Sequence, residues 1–515
     1  LKFATRAAVS LIVVSACDAC ARRDADGPIP VVVALDTAPR VLDPRFATAD
    51  VDVKLARLVF PGLVTFDTPN GSMAFDLAAS IDAPEPLRRV VHLRPGLLFH
   101  DGSSLTADDV AATYASLASE TLGSPLREQV EGVEVRVIDE LTLELVLDEF
   151  DSSFAMRLEL GILPAELAST NDRLEATELI GAGPFRFGAF EADGGVRMHS
   201  FEHFWAGAPA IAELVFRVLP DQNARVLGLL GGTVDMAQNS IPPILLPAIE
   251  RDSDLIAETS PSMKLSYVVL NLGVEPLDDE RVRRALAMAI DRRAIVENRF
   301  RGAATLATGL LPPSHPYYRA ADGVPAPDAV AAGALLDEAG YTDADGDGCR
   351  FRLELKTSAN RFYRSIAELL ADQLAAVEVC VDVRSFEWGT FYDDVRSGNF
   401  AGALMQWPSL LDPASFEWIF HSRSIPTAEN RAMGGNRGQY RNIEVDRLID
   451  AARIEADDDA RMGQYGELQT LTSRDLPYLF LWHEDNLVVR NRRLDGYLPT
   501  PNARFRGLST ARRLD

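Results

Sequence analysis

Phe351 to Val383 reads FRLELKTSANRFYRSIAELLADQLAAVEVCVDV. Phe351, Leu353 and Leu355 alternate with polar residues, the period of a strand with one buried face. Ile366, Leu369, Leu370 and Leu374 then recur at helical spacing and form one apolar stripe. Val377, Val379, Val381 and Val383 return to alternation. Strand, helix and strand in so short a stretch is a βαβ unit, which predicts a parallel pair of strands. Outward from it, the patterns keep alternating. Pro30 to Leu35 (PVVVAL) reads as a short buried strand. Val133, Val135 and Val137, then Leu141, Leu143, Leu145 and Leu147, read as a β-hairpin turning at Ile138-Asp139-Glu140. Asp278 reads as the N-cap of a helix with Val282, Ala285, Leu286, Ala289 and Ile290 on its buried face. Hairpins mixed with βαβ units predict an α/β protein of more than one lobe. No short-period repeat is present.

The chain has 515 residues, which at about 150 residues per domain predicts several domains. Apolar residues make up 47% and charged residues 25%, an ordinary globular balance. The net charge of −25 argues against a nucleic-acid binder, which needs a basic face to displace counterions from phosphates. It argues equally against broad contact with anionic lipid. Four cysteines are too few for a disulfide scaffold.

Lys2 and Arg6 flank the start of a short apolar run, Ala7 to Ala16. That run is too short to cross ~30 Å of hydrocarbon, and with its basic start it reads as an export signal over residues 1–16. Val14-Ser15-Ala16-Cys17 resembles a bacterial lipobox, so Cys17 is the expected lipidation site. Residues 17–30, small, polar and Pro-containing, read as a tether. The expected location is the periplasm or cell surface, with the lipid anchor as the only contact with membrane.

Several segments together resemble one family. They include Val41-Leu42-Asp43-Pro44, Phe60-Pro61-Gly62-Leu63-Val64 and His92-Leu93-Arg94-Pro95-Gly96. Phe99-His100-Asp101-Gly102, Leu105-Thr106-Ala107-Asp108-Asp109-Val110 and Gly181-Ala182-Gly183-Pro184-Phe185 continue the series. Arg281 to Leu286, Ala289 to Arg292 and Pro312-Pro313 before His315 close it. Taken in order, they resemble the family 5 extracellular solute-binding proteins of ABC transporters, the oligopeptide-, dipeptide- and nickel-binding type. The resemblance implies a two-lobed, periplasmic-binding-protein-like type II fold with an extra domain inserted in the first lobe. The implied division is 31–58, 182–265 and 486–515 for lobe 1, 59–181 for the extra domain and 266–485 for lobe 2. It also implies a small-molecule or peptide ligand enclosed between the lobes and an ABC permease as partner. The chain is expected to be a monomer without enzymatic activity, and without a cofactor unless an acidic loop holds Ca²⁺.

Gln406-Trp407-Pro408-Ser409-Leu410-Leu411-Asp412-Pro413 resembles a binding segment of that family. Its peptide-binding members hold the peptide ammonium with an Asp where this chain has Ser409, and a serine cannot neutralise an ammonium. Asp412 remains as a candidate acid, although Asp-Pro also starts turns. Trp388 and Trp407 are candidates for stacking on ligand or for packing in a core. The resemblance puts Asn271 at the cleft floor, where its alternative is a satisfied core amide. His421 and His483 lack partners at metal-ligand spacing and read as structural or surface residues. Asp343, Asp345, Asp347 and Glu354 match D-x-D-x-D-G-x5-E, a Ca²⁺ loop pattern, but a strand follows where a helix is usual. An acidic glycine-rich loop fits the same residues. Cys349 and Cys380, in an oxidising compartment, are candidates for a disulfide.

Two other functions are compatible with an exported α/β chain. One is a hydrolase, although no G-x-S-x-G, H-E-x-x-H or Cys/His cluster is present. The other is a sensory or chaperone protein on the same fold.

Overall fold

The computed structural model describes residues 28–427 and 434–514. The expected signal, Cys17 and most of the tether lie outside the described residues. Among the described residues no helix is long and apolar enough to cross a membrane.

Phe351–Ser358 and Val379–Phe386 pair in parallel, joined by the helix Arg361–Ala375. Asn360 caps that helix by accepting from the Phe362 and Tyr363 amides, and Ile366, Ala367, Leu370 and Leu374 are its buried residues. Val377 lies before the second strand, which starts at Val379. Val381 and Val383 are only half buried, because Val379–Phe386 is the last strand at one edge of the sheet. The helix expected after Asp278 starts one residue later. Asp279, not Asp278, is its N-cap, accepting from the Arg281 amide at 2.8 Å.

The βαβ strands belong to an 11-stranded sheet. Two long strands, Leu255–Leu270 and Tyr478–Asn491, run antiparallel through its middle. Their ladder is interrupted between Ser260 and Lys264, where the register shifts. On one side of the break, Leu255, Leu487 and Val489 pack with Val32, Ala34, Val215 and Val234. On the other side, Leu265 to Leu270 and Tyr478 to Trp482 join a core with Val282, Leu286, Ile366, Leu370 and Phe416. The same two strands therefore serve two cores, one in each lobe, and the irregular segment between them is where a hinge can flex.

A third core belongs to the inserted domain. Its four antiparallel strands, including the expected hairpin Val133–Asp139 and Thr142–Leu147, pack with the helix Ala107–Ala118 around Val91, Phe99, Val110, Tyr114 and Leu143. The Thr106 amide and hydroxyl both donate to the Asp109 carboxylate and fix the start of that helix. Leu163, Ala168 and Leu179 pack in the core of lobe 1.

The glycines of Gly181-Ala182-Gly183 are required by close approach. A Cβ on Gly181 would lie 2.0 Å from the Val59 carbonyl oxygen, and one on Gly183 2.2 Å from that of Leu58. His100 anchors the same segment. Its Nδ1 accepts from the Gly181 amide at 3.2 Å and its Nε2 donates to the Gly183 carbonyl at 3.1 Å. Burial holds its pKa down at about 4, in the neutral state this bonding needs.

Candidate functional site

The strand Gly402–Trp407 pairs with Leu265–Leu270 and carries Trp407 at its end, opposite Leu265 near the register break. Trp407 stacks on Tyr267 at 5.9 Å, and Tyr267 on Tyr478 at 4.2 Å, so its ring is mounted on the hinge strands. Trp418, on the helix Ser415–Phe420, meets Trp407 edge to face at 5.3 Å. Trp388 opens the helix Trp388–Arg396 and stacks on Tyr392 at 5.7 Å. The Arg437 guanidinium lies over Tyr392 at 4.8 Å, Trp418 at 5.4 Å and Trp407 at 5.5 Å, and donates to the Tyr392 hydroxyl at 2.9 Å.

Trp388, Tyr392, Trp407, Trp418 and Arg437 line a cavity of about 790 Å³. Gln406, Tyr363, Asn360 and Glu387 add polar atoms, and Thr48 closes it from lobe 1. Trp388 is 55% exposed and Trp418 42% exposed. Two large aromatic faces left open toward one chamber are what a ligand with a flat or apolar part would cover.

Thr48 also borders a second cavity of about 640 Å³, of different character. Its lining includes Arg57, Glu159, Arg453, Arg504, Ser153 and Asp412. Asp412 accepts from the Ser153 hydroxyl at 2.8 Å and from the Ala414 amide at 2.9 Å. The first bond joins lobe 2 to the inserted domain, and the second is the turn that Asp-Pro suggested. The Ser152 amide donates to the Arg453 carbonyl at 3.2 Å and the Arg453 guanidinium pairs with Glu149 at 3.2 Å, so the loop before Phe154 touches lobe 2 three times.

The site residues read from the sequence are thus separated. Trp388 and Trp407 line the aromatic chamber, and Asp412 lines the charged one. Asn271 lines neither. It is buried, donates to the Gly398 and Phe400 carbonyls and accepts from Gly273 and Gln439, so it is a satisfied core amide, not a ligand contact. Ser409 is exposed and lines neither cavity. Trp418, Tyr392 and Arg437 were not singled out by sequence. A tryptophan one turn into the helix that follows the Trp407 loop was a usable signal for the first, but nothing local marks the other two.

Away from the cleft, Asp343, Asp345 and Asp347 bring carboxylate oxygens within 4.8 Å of one another. Glu354 does not join them. It lies on the strand Phe351–Ser358 and pairs with the Lys356 ammonium at 3.4 Å, the solvated-face alternative. Cys349 and Cys380 form a disulfide with Cα atoms 5.6 Å apart. His483 is buried, and burial lowers its pKa to about 4.

Burial raises the Asp412 carboxyl to about 6, against an ordinary value of 3.8. The folded protein then holds an extra proton between about pH 4 and 6. This group's contribution to stability is full below pH 4 and is lost as pH rises through 6. Asp412→Asn keeps the acceptor oxygen and removes the charge. It should unfold at higher denaturant than wild type at pH 7.5, by on the order of 1–2 kcal/mol, with the gap closing at pH 4. A gap independent of pH would contradict the assignment.

A sheet carried through two lobes by paired hinge strands, with an aromatic chamber between the lobes, defines a two-lobed solute-binding protein of the type II class. The chain belongs to the bacterial extracellular solute-binding proteins of family 5, whose middle-region model matches residues 75–426. It is 26% identical over 484 residues to the oligopeptide-binding protein AppA of Bacillus subtilis, covering 89% of this chain and 87% of that one. It is 27% identical over 506 residues to di/tripeptide-binding protein 2 of Pseudomonas aeruginosa, covering 92% and 93%. Its fold matches the structure of Bacillus subtilis AppA in complex with a nonapeptide, with a TM-score of 0.79, 24% identity and coverage of 95% and 99%.

Proposed function

We propose that this protein is the extracytoplasmic receptor of an ABC importer and captures a small peptide between its lobes. The observation that carries this is the chamber itself: open faces of Trp388 and Trp418, with Trp407, in a cavity of about 790 Å³ that Thr48 closes from the other lobe. The relatives named as binders of oligopeptides and of di- and tripeptides support the ligand class. The register break in the hinge strands gives closure a place to occur, and the closed form is what a permease would recognise. The receptor acts as a monomer and needs no cofactor. Chelators should therefore leave binding unchanged.

A panel of di- to pentapeptides tested by thermal shift and calorimetry decides the ligand class. Saturable one-to-one binding that Trp388→Ala weakens at least about tenfold is expected, as for loss of a stacked aromatic contact. Binding by no member of the panel would overturn the peptide reading.

Anchoring is through Cys17, after Val14-Ser15-Ala16. Lipoproteins of this kind carry several acyl chains, because one binds only marginally. Cys17→Ser should move the protein from the membrane to the soluble fraction of its host, and unchanged fractionation would contradict the anchor.

A further inference from the structure

We infer that the site selects its ligand by a carboxylate, received by Arg437, and that a free ligand amine is not required. This rests on the receptor reading above and names the chemistry that the same chamber prefers.

Arg437 is only 5% exposed. A guanidinium so buried normally has an acid or a set of carbonyls to meet it, since an unpaired buried charge is costly. The other buried arginines follow that rule. Arg45 pairs with Asp43 and Arg490 with Glu258, as the less buried Arg504 does with Asp67 and Glu159 and Arg506 with Asp76. Arg225 and Arg283 donate to backbone carbonyls. Arg437 departs from it. Among the described residues it has no carboxylate partner, its bond goes to the neutral Tyr392 hydroxyl, and its Nε has no acceptor. Three aromatic faces stabilise the cation without neutralising it. An oxyanion entering the chamber would supply the missing acceptor in a place screened from water, where a charge-assisted bond is strongest.

The chamber offers an amine much less. Glu387 is the acid in its lining, and its carboxylate already caps the helix Trp388–Arg396 by accepting from the Gly389 and Thr390 amides. Asp412 lies in the adjoining cavity and is engaged by Ser153 and Ala414. The preferred ligand therefore has a carboxylate for Arg437 and a flat or apolar part for Trp388 and Trp418. An N-blocked peptide meets that description as well as a free one.

Calorimetry with four probes tests this: Phe-Ala, N-acetyl-Phe-Ala, Phe-Ala amide and N-acetyl-Phe-Ala amide. Acetylation should change affinity by less than about threefold, while amidation of the carboxylate should weaken it at least about tenfold, as loss of a charged hydrogen-bond partner does. In Arg437→Gln the acid and amide should bind alike. Arg437→Lys, which keeps the charge, should retain part of the preference. Should Arg437→Gln fail to fold, the wild-type acid-to-amide ratio decides alone. Equal affinity of acid and amide in wild type, or loss of binding on acetylation, overturns the inference while leaving a peptide receptor in place. Binding of none of the four, when other peptides of the panel do bind, also overturns the inference alone. Binding of no peptide at all overturns both.

Discussion

Arg504→Met should lower the unfolding free energy by about 3–5 kcal/mol, because it strands the buried Asp67 carboxylate and leaves Glu159 with Arg57 alone. Arg504 ion-pairs with Asp67 at 3.1 Å and with Glu159, both almost fully buried. Burial alone would lower the Arg504 pKa, but Glu159 and Asp67 outweigh it and raise it. Burial alone would likewise raise Glu159, but Arg504 and Arg57 hold it below the usual carboxylate range. Glu159 also accepts from the Phe66 amide at 3.1 Å, and Asp67 from the Asn502 side-chain amide at 2.6 Å. The cluster thus joins the inserted domain, which supplies Asp67 and Glu159, to the C-terminal segment of lobe 1. Adding Asp67→Asn to Arg504→Met should recover much of the loss, since Glu159 keeps Arg57 at 3.7 Å and no unpaired charge then remains. Urea denaturation of the single and double variants checks this. A loss below about 1 kcal/mol in the single variant would show that water reaches the cluster.

Replacing both Cys349 and Cys380 by serine should cost about 3–4 kcal/mol in lobe 2, the loop-closure value for a bridge spanning 31 residues. The bridge joins Cys349, two residues before the strand Phe351–Ser358, to Cys380 in the parallel neighbour Val379–Phe386, at the free edge of the sheet. A parallel edge pair has no hairpin to hold it in register, so the cross-link also limits fraying. Melting with and without reductant, on wild type and the double variant, measures the effect. Identical midpoints under all four conditions would mean that the bridge is absent or carries no stability.

The parts of this structure that sequence made legible are those with a local period. The Phe351–Val383 unit was readable because three successive apolar patterns each match one kind of element. The two-lobed fold was readable only through the resemblance of ordered motifs, since what they do, such as His100 bonding to the distant Gly181 and Gly183, appears only in the folded chain. Glu354 shows a motif losing to a period: its alternation with Leu353 and Leu355 placed it on a strand face, and the loop pattern did not override that. Asn271 shows the limit of position without direction. The residue sits where the strand ends, but its amide turns into the core to satisfy two carbonyls. Arg437 was not legible at all. Its cage is assembled from Tyr392, Trp407 and Trp418, on three separate elements, and only the folded sheet brings those rings around one cation.

The central claim is that ligand is enclosed between the lobes in the aromatic chamber. A crystal structure of the protein with a bound peptide tests it most directly. The account predicts one ligand between Thr48 and Trp407, with an apolar part against Trp388 or Trp418 and an oxyanion at Arg437. Ligand density outside the cleft, or in the charged cavity at Asp412 with the aromatic chamber empty, would contradict it.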